Sequence, residues 1–135
     1  MTLVDTNILF DLVTRNTDWL DWSLHALGNA AVAGPVSINA VIYAELSVRY
    51  ETLAEVDNFL EVTGIQVVDL SNRTAFLAAK AYSKYRLSGG TKTGVLSDFF
   101  IGAHAQALSV PLLTRDVRRY RTYFPEVRLI APHMN

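Results

Sequence analysis

Two registers of hydrophobicity alternate along the chain: short, nearly continuous apolar runs, and longer stretches in which apolar side chains recur every third or fourth position. Residues 2–5 (TLVD) read as a strand ending in an acid, followed by helical stretches over 7–15 (NILFDLVTR) and 17–33 (TDWLDWSLHALGNAAVA), the latter stopped by Gly34 and Pro35. A second strand over 35–38 (PVSI) leads to Asn39, placed to cap a helix over 40–50 (AVIYAELSVRY), and a further helix over 53–63 stops at Gly64. Residues 65–70 (IQVVDL) form a third strand. A long helix then opens at Ser71 or Asn72 and runs to Leu87, and 88–94 (SGGTKTG) is a loop. A helix over 96–108, a strand over 111–114 (PLLT), a helix over 116–124 (DVRRYRTYF) stopped by Pro125 and a strand over 127–130 (VRLI) complete the pattern.

Short strands separated by helices need crossover connections, which are right-handed and cover both faces of a parallel sheet. The pattern therefore predicts an α/β fold: a three-layer α/β/α sandwich with a central parallel sheet of about five short strands, built as a single domain over residues 1–135. There is no internal repeat or low-complexity segment.

Composition narrows the setting. The chain has 135 residues, half of them apolar, enough for one domain to bury a layered core. With no cysteine, disulfides and thiolate metal sites are excluded, which suits a reducing compartment. No apolar run approaches the roughly 18 residues of a membrane span, and the first strand leaves no room for a signal peptide. A soluble, cytoplasmic protein without a membrane partner is expected.

Net charge is −1, but its distribution is uneven. Residues 1–70 carry ten acids against Arg15 and Arg49, whereas residues 71–135 carry ten lysines and arginines against Asp98, Asp116 and Glu126. Solvated helix faces would account for this; so would a basic surface for a polyanion such as nucleic acid.

The acids supply the candidate chemistry. In open α/β sheets, ligands collect beyond the carboxyl ends of the strands. Asp5 ends the first strand, Asp116 follows the strand 111–114, Asp98 begins the helix leading into that strand, and Glu45 lies in the helix leaving the second. Each also has a local reading. Asp98 and Asp116 can cap helices, Asp5 can organise its turn, and Glu45 can pair with Arg49, although its other neighbours one turn away are apolar. Gly102, Ala105 and Ser109 share the helical face of Asp98, and a mid-helix glycine costs about 1 kcal/mol against alanine, which implies close approach by a strand or a ligand.

Were four acids gathered at about 5 Å, each pair would repel by roughly 3 kcal/mol at an effective dielectric near 20. Six such pairs exceed the whole stability of a typical domain, about 5 to 15 kcal/mol, so the cluster must protonate in part or bind cations. Oxygen-only donors favour Mg²⁺ or Mn²⁺; Ca²⁺ is compatible, but there is no EF-hand loop. Carboxylate-held divalent ions beside a basic surface suggest phosphodiester hydrolysis. His25 and His133 read as surface residues and His104 as a packing residue, and no phosphate-binding GxxxxGK[ST] or GxGxxG pattern is present.

Four segments together, LVDTNILFDL, YAEL around Glu45, LSDFFIGAHAQAL and PLLTRDVRRYRTYFPEVRLIAP, resemble the PIN-domain ribonucleases, most closely the VapC-type toxins of bacterial and archaeal toxin–antitoxin pairs. The likeness spans essentially the whole chain in order. It implies that Asp5, Glu45, Asp98 and Asp116 are the acidic quartet that holds Mg²⁺ or Mn²⁺ and positions the attacking water, with Asn7 and Thr114 as their polar neighbours. It further implies an endoribonuclease acting on single-stranded or looped RNA, a homodimer, and a cognate antitoxin whose C-terminal segment approaches the acidic site.

Other features fit that expectation without being required by it. Trp19 and Trp22, with Leu20, Leu24 and Leu27, form an aromatic-rich helical face that suits either the core or a groove for a partner helix. Lys92, Arg115, Arg118, Arg119 and Arg121 are candidates to hold RNA phosphates, and Tyr120, Tyr123 and Phe124 could stack on a base, with core burial favoured for Phe124. Two rivals remain at this point: a non-catalytic RNA-binding or scaffold module with the same fold, and a receiver-type domain phosphorylated on Asp69.

Overall fold

A computed structural model describes residues 1–92 and 94–132; His133, read above as a surface residue, lies outside them, as does Thr93 of the glycine-rich loop. Among the described residues are five strands, β1 (Thr2–Val4), β2 (Val36–Ile38), β3 (Gln66–Val67), β4 (Leu112–Leu113) and β5 (Leu129–Ile130). Seven helices connect them: α1 (Thr6–Thr14), α2 (Leu20–Ala33), α3 (Ala40–Ser47), α4 (Leu53–Thr63), α5 (Asn72–Leu87), α6 (Leu96–Leu108) and α7 (Arg118–Tyr123). The strands form one sheet in the order β3-β2-β1-β4-β5, and every pairing is parallel. This is the predicted α/β/α class with a five-stranded parallel sheet.

The strand order fixes where chemistry can occur. From β1 the chain winds outward through β2 to β3, then crosses back to β4 on the other side of β1 and winds outward to β5. Connections on the two sides of β1 therefore run in opposite directions, and their carboxyl ends leave a crevice. Asp5 leaves β1 and Thr114 leaves β4 at this crevice, because Leu3 pairs with Leu112 and Val4 with Leu113. The central strands read as unbroken apolar segments for the same reason: Leu3, Val4, Ile38, Leu112 and Leu113 are fully buried between helical layers.

Local chemistry sets the boundaries. Asn39 caps α3, its Oδ1 accepting the Ile42 N–H at 3.0 Å, and Ser71 rather than Asn72 caps α5, accepting the Thr74 N–H at 3.1 Å. Helix α2 begins at Leu20 instead of Thr17, since the Asn16 side chain takes the Asp18 and Trp19 amides at 2.9 and 3.2 Å and holds that segment as a turn. Strand β3 covers less than the predicted 65–70, and both its residues are exposed. An edge strand has one neighbour to pair with, and apolar composition cannot lengthen a ladder that lacks a second.

Helix α6 lies deep in the protein, with Phe99, Ile101, Ala103 and Ala105 fully buried and Phe100 half-buried. The close approach implied by Gly102 is made by neither a strand nor a ligand but by the buried ring of Phe124: a Cβ at Gly102 would sit 2.3 Å from the Phe124 Cδ2. Ser109, the last of that small face, ends the helix in the left-handed region at φ 55°. His104 is a buried packing residue whose Nδ1 lies 3.0 Å from the Asn39 Nδ2. Burial lowers its pKa, an effect the Asp69 backbone offsets only in part. None of the described helices is long and apolar enough to cross a membrane.

Candidate functional site

A cavity of about 130 Å³ opens at the crevice, and its lining includes Asp5, Glu45, Asp98 and Asp116 together with Arg119 and Tyr120. Asp5 is both a cap and a site group. Its Oδ1 accepts the Thr6 N–H at 2.7 Å, while Oδ2 accepts the Thr114 and Tyr120 hydroxyls, each at 2.8 Å. Asn7 reinforces this arrangement, its Nδ2 donating to Thr114 Oγ1 at 3.3 Å and its Oδ1 accepting the Arg115 N–H at 3.2 Å. Glu45 does not pair with Arg49, whose guanidinium lies over the Phe10 ring; it accepts the Thr6 hydroxyl at 2.6 Å. One turn at the end of β1 therefore positions both its own Asp5 carboxylate and that of Glu45 from α3.

Asp98 is not the cap of α6. It stands inside the first turn, no side chain caps that helix, and its Oδ2 accepts Arg119 Nη1 at 2.5 Å. Asp116 is the most exposed of the four acids; Thr114 Oγ1 accepts its N–H at 3.1 Å, and its Oδ1 makes a long contact of 3.4 Å with the Arg118 N–H.

Electrostatics register this crowding of acids. The Asp5 carboxyl is pushed up to about 6, mainly by burial, with the Asp98 charge adding to it and the Thr114 and Tyr120 hydroxyls opposing. Asp98 is also raised, first by burial and further by Glu45 and Asp116, while Arg119 pulls it down. Tyr120 is held well above its ordinary range by burial and by Asp5 and Asp98, so its hydroxyl remains a donor.

The donor set suits a hard divalent ion in kind, being carboxylate oxygen throughout. The spacing corrects the expectation of acids gathered at ligating distance: among the described residues, no three carboxylates or imidazoles stand close enough to share one ion. The reason is that protein donors already hold the carboxylates. Hydroxyls and an amide take Asp5, a hydroxyl takes Glu45, and a guanidinium takes Asp98, relieving the repulsion without drawing the acids together.

The candidate phosphate contacts divide. Lys92, Arg118 and Arg119 line an adjoining cavity of about 420 Å³ with Tyr85 and Tyr123, and this cavity shares Asp116 and Arg119 with the acidic one. Arg115 is engaged elsewhere: its Nε and Nη2 donate to the buried Asp11 at 2.7 and 2.9 Å, and its guanidinium lies over Trp19. Ser23 completes that buried cluster, donating to Asp11 at 2.7 Å. Arg115→Ala is therefore expected to lower stability in urea titration by about 3 kcal/mol, leaving Asp11 buried without its counter-charge, rather than to weaken RNA binding selectively. Arg121 is exposed on α7 and lines neither cavity. Phe124 and Tyr120 are buried and unavailable for base stacking.

The tryptophan face divides too. Trp19 meets Arg115, whereas Trp22 lines a separate groove of about 790 Å³ with Met1, Pro111 and Ile130, beside the opposite ends of the strands; Leu27 is buried and Leu24 exposed. Asp69 is exposed after the edge strand β3 and is not among the residues lining the acidic cavity. Thr6 and Tyr120 are the site residues that sequence reasoning missed in this role. Thr6 adjoins Asp5 at a strand-to-helix turn, which was a usable signal, but Tyr120 is indistinguishable in sequence from an ordinary core tyrosine.

This crevice, on this sheet order, defines a class. The PIN domain family is matched over residues 2–125, and the chain belongs to that family. Its fold is shared with a chain in the crystal structure of VapBC2 from Rickettsia felis bound to a DNA fragment from their promoter, at TM-score 0.71 and 18% identity, covering 96% of this chain and 97% of that one. A toxin–antitoxin complex from Klebsiella pneumoniae is similar at TM-score 0.66 and 21% identity, covering 98% of each chain. FitAcB from Neisseria gonorrhoeae is similar at TM-score 0.60 and 22% identity, covering both chains in full. No curated protein sequence matches the chain.

Proposed function

We propose that this chain is a metal-dependent endoribonuclease and the toxin of a toxin–antitoxin pair. The observation that carries the reading is the cavity itself: Asp5, Glu45, Asp98 and Asp116, from separate elements, line one space at the crevice beyond the strand ends. Membership of the PIN domain family and a fold shared with chains of toxin–antitoxin complexes support it. Asp5, Glu45, Asp98 and Asp116 would have to close in from their present spacing to hold Mg²⁺ or Mn²⁺, which supplies Lewis-acid stabilisation of phosphate charge and lowers the pKa of water. Thr6 and Thr114 orient the carboxylates of Glu45 and Asp5, Asn7 braces Thr114, and Tyr120 donates to Asp5 from the buried side. Lys92 and Arg118 place positive charge beside the acids, where an RNA backbone would lie. A homodimer in the cytoplasm, silenced by a cognate antitoxin, completes the proposal.

The test is cleavage of total RNA by the purified chain. Fragments are expected with Mg²⁺ or Mn²⁺ and none with EDTA. Cleavage that persists in EDTA would sink the mechanism, and salt-sensitive binding with no turnover would favour a non-catalytic RNA-binding module.

A further inference from the structure

We propose that Arg119 is the built-in counter-cation of the acidic site, exchangeable for a divalent ion at Asp98, and that its released guanidinium then serves the neighbouring phosphate groove. The proposal rests on the metal-dependent reading above and deepens it. Among the described residues, Arg119 is the only cation lining the acidic cavity, where it faces four acids. Its Nη1 lies 2.5 Å from Asp98 Oδ2, so it takes an oxygen that an ion would need. The pair is not sealed: the Arg119 and Asp98 side chains are 18% and 30% exposed, which leaves solvent and ions a route to both.

Two further features make the exchange directional. Arg119 lines both cavities, so a guanidinium leaving Asp98 enters the groove of Lys92 and Arg118. The rings of Tyr85 and Phe99, with centroids 5.6 and 6.0 Å from its guanidinium carbon, form a surface on which it can turn while keeping cation–π contact. A divalent ion beside Asp98 repels the guanidinium, and a phosphate in the groove attracts it. Metal and phosphate thus favour the same displaced position, and by linkage each should strengthen the binding of the other.

Calorimetric titration of the full chain with MnCl₂ at neutral pH, without RNA, tests the exchange. Arg119→Met is expected to bind Mn²⁺ about tenfold more tightly than the natural chain, and Arg119→Lys to stay near it, because the competing charge is kept. Circular dichroism melting checks that both variants fold, and Arg119→Gln repeats the test with a polar stem. A second readout is the side-chain Nε–H resonance of Arg119 by NMR, assigned by its loss in Arg119→Lys. It should shift on addition of Mg²⁺ and again on addition of inorganic phosphate. Equal or weaker Mn²⁺ binding by Arg119→Met and Arg119→Gln, or a resonance unmoved by Mg²⁺, overturns the proposal alone if Asp98→Asn still abolishes ion binding. No Mn²⁺ binding by any of the proteins overturns this proposal and the metal-dependent reading together.

Discussion

Asp98→Asn should reduce RNA cleavage by at least about a hundredfold while leaving the fold intact. The substitution keeps the shape of the side chain and an acceptor for Arg119 but removes the charge that would hold a divalent ion. Asp98 is the informative position because its local reading does not survive the structure: it caps nothing, and its carboxylate points across to α7. Its pKa is raised by burial and by Glu45 and Asp116, so neutralising it also relieves repulsion. Thermal stability in EDTA is accordingly expected to stay level or rise, and a melting curve beside the cleavage assay separates lost chemistry from lost structure. An Asn variant that cuts as fast as the natural chain would remove Asp98 from the mechanism.

Protons should compete with divalent ions at Asp5. Its carboxyl sits at about 6 against an ordinary 3.8, so the folded chain holds this proton more tightly than the unfolded chain does. The sign follows: the stabilising contribution is fully present below about 3.8 and is lost as pH rises through about 6. That difference amounts to about 3 kcal/mol. In EDTA, the Asp5 contribution should make the chain less stable at pH 7.5 than at pH 4.5, whereas Mn²⁺ should restore stability at the higher pH by supplying the missing positive charge. Mn²⁺ affinity is expected to weaken by about tenfold per pH unit below 6, as ion binding must first expel the proton. Melting temperature and calorimetry across pH 4.5 to 8, with and without Mn²⁺, check both trends. Affinity independent of pH in that range would remove Asp5 from the ion site.

Asp5 and Glu45 show what is readable from sequence. Asp5 could be placed at a strand end from TLVD alone, since a short apolar run followed by a polar turn into a helix has few other solutions. Its second role, accepting the hydroxyls of Thr114 and Tyr120 from more than a hundred positions away, is written in no local pattern. Glu45 shows the converse. The spacing to Arg49 suggested a surface pair, yet its carboxylate receives Thr6 because α3 packs against α1. Arg115 and Arg119, four apart on a basic segment, looked equivalent; one neutralises buried Asp11 and the other Asp98.

Gly102 draws the line between the two kinds of information. Its place in a helix of small residues announced a close approach, and that inference depended only on the missing Cβ. Which atoms approach, the Phe124 ring rather than a strand or a ligand, depended on how the segment after β4 folds back over α6. Periodicity, caps and glycine positions determined the elements and their order, because helix and strand geometry act over a few residues. The sheet order, the partner of each arginine and the spacing of the acids were decided by tertiary packing, because burial and charge pairing act between residues that only the finished fold brings together.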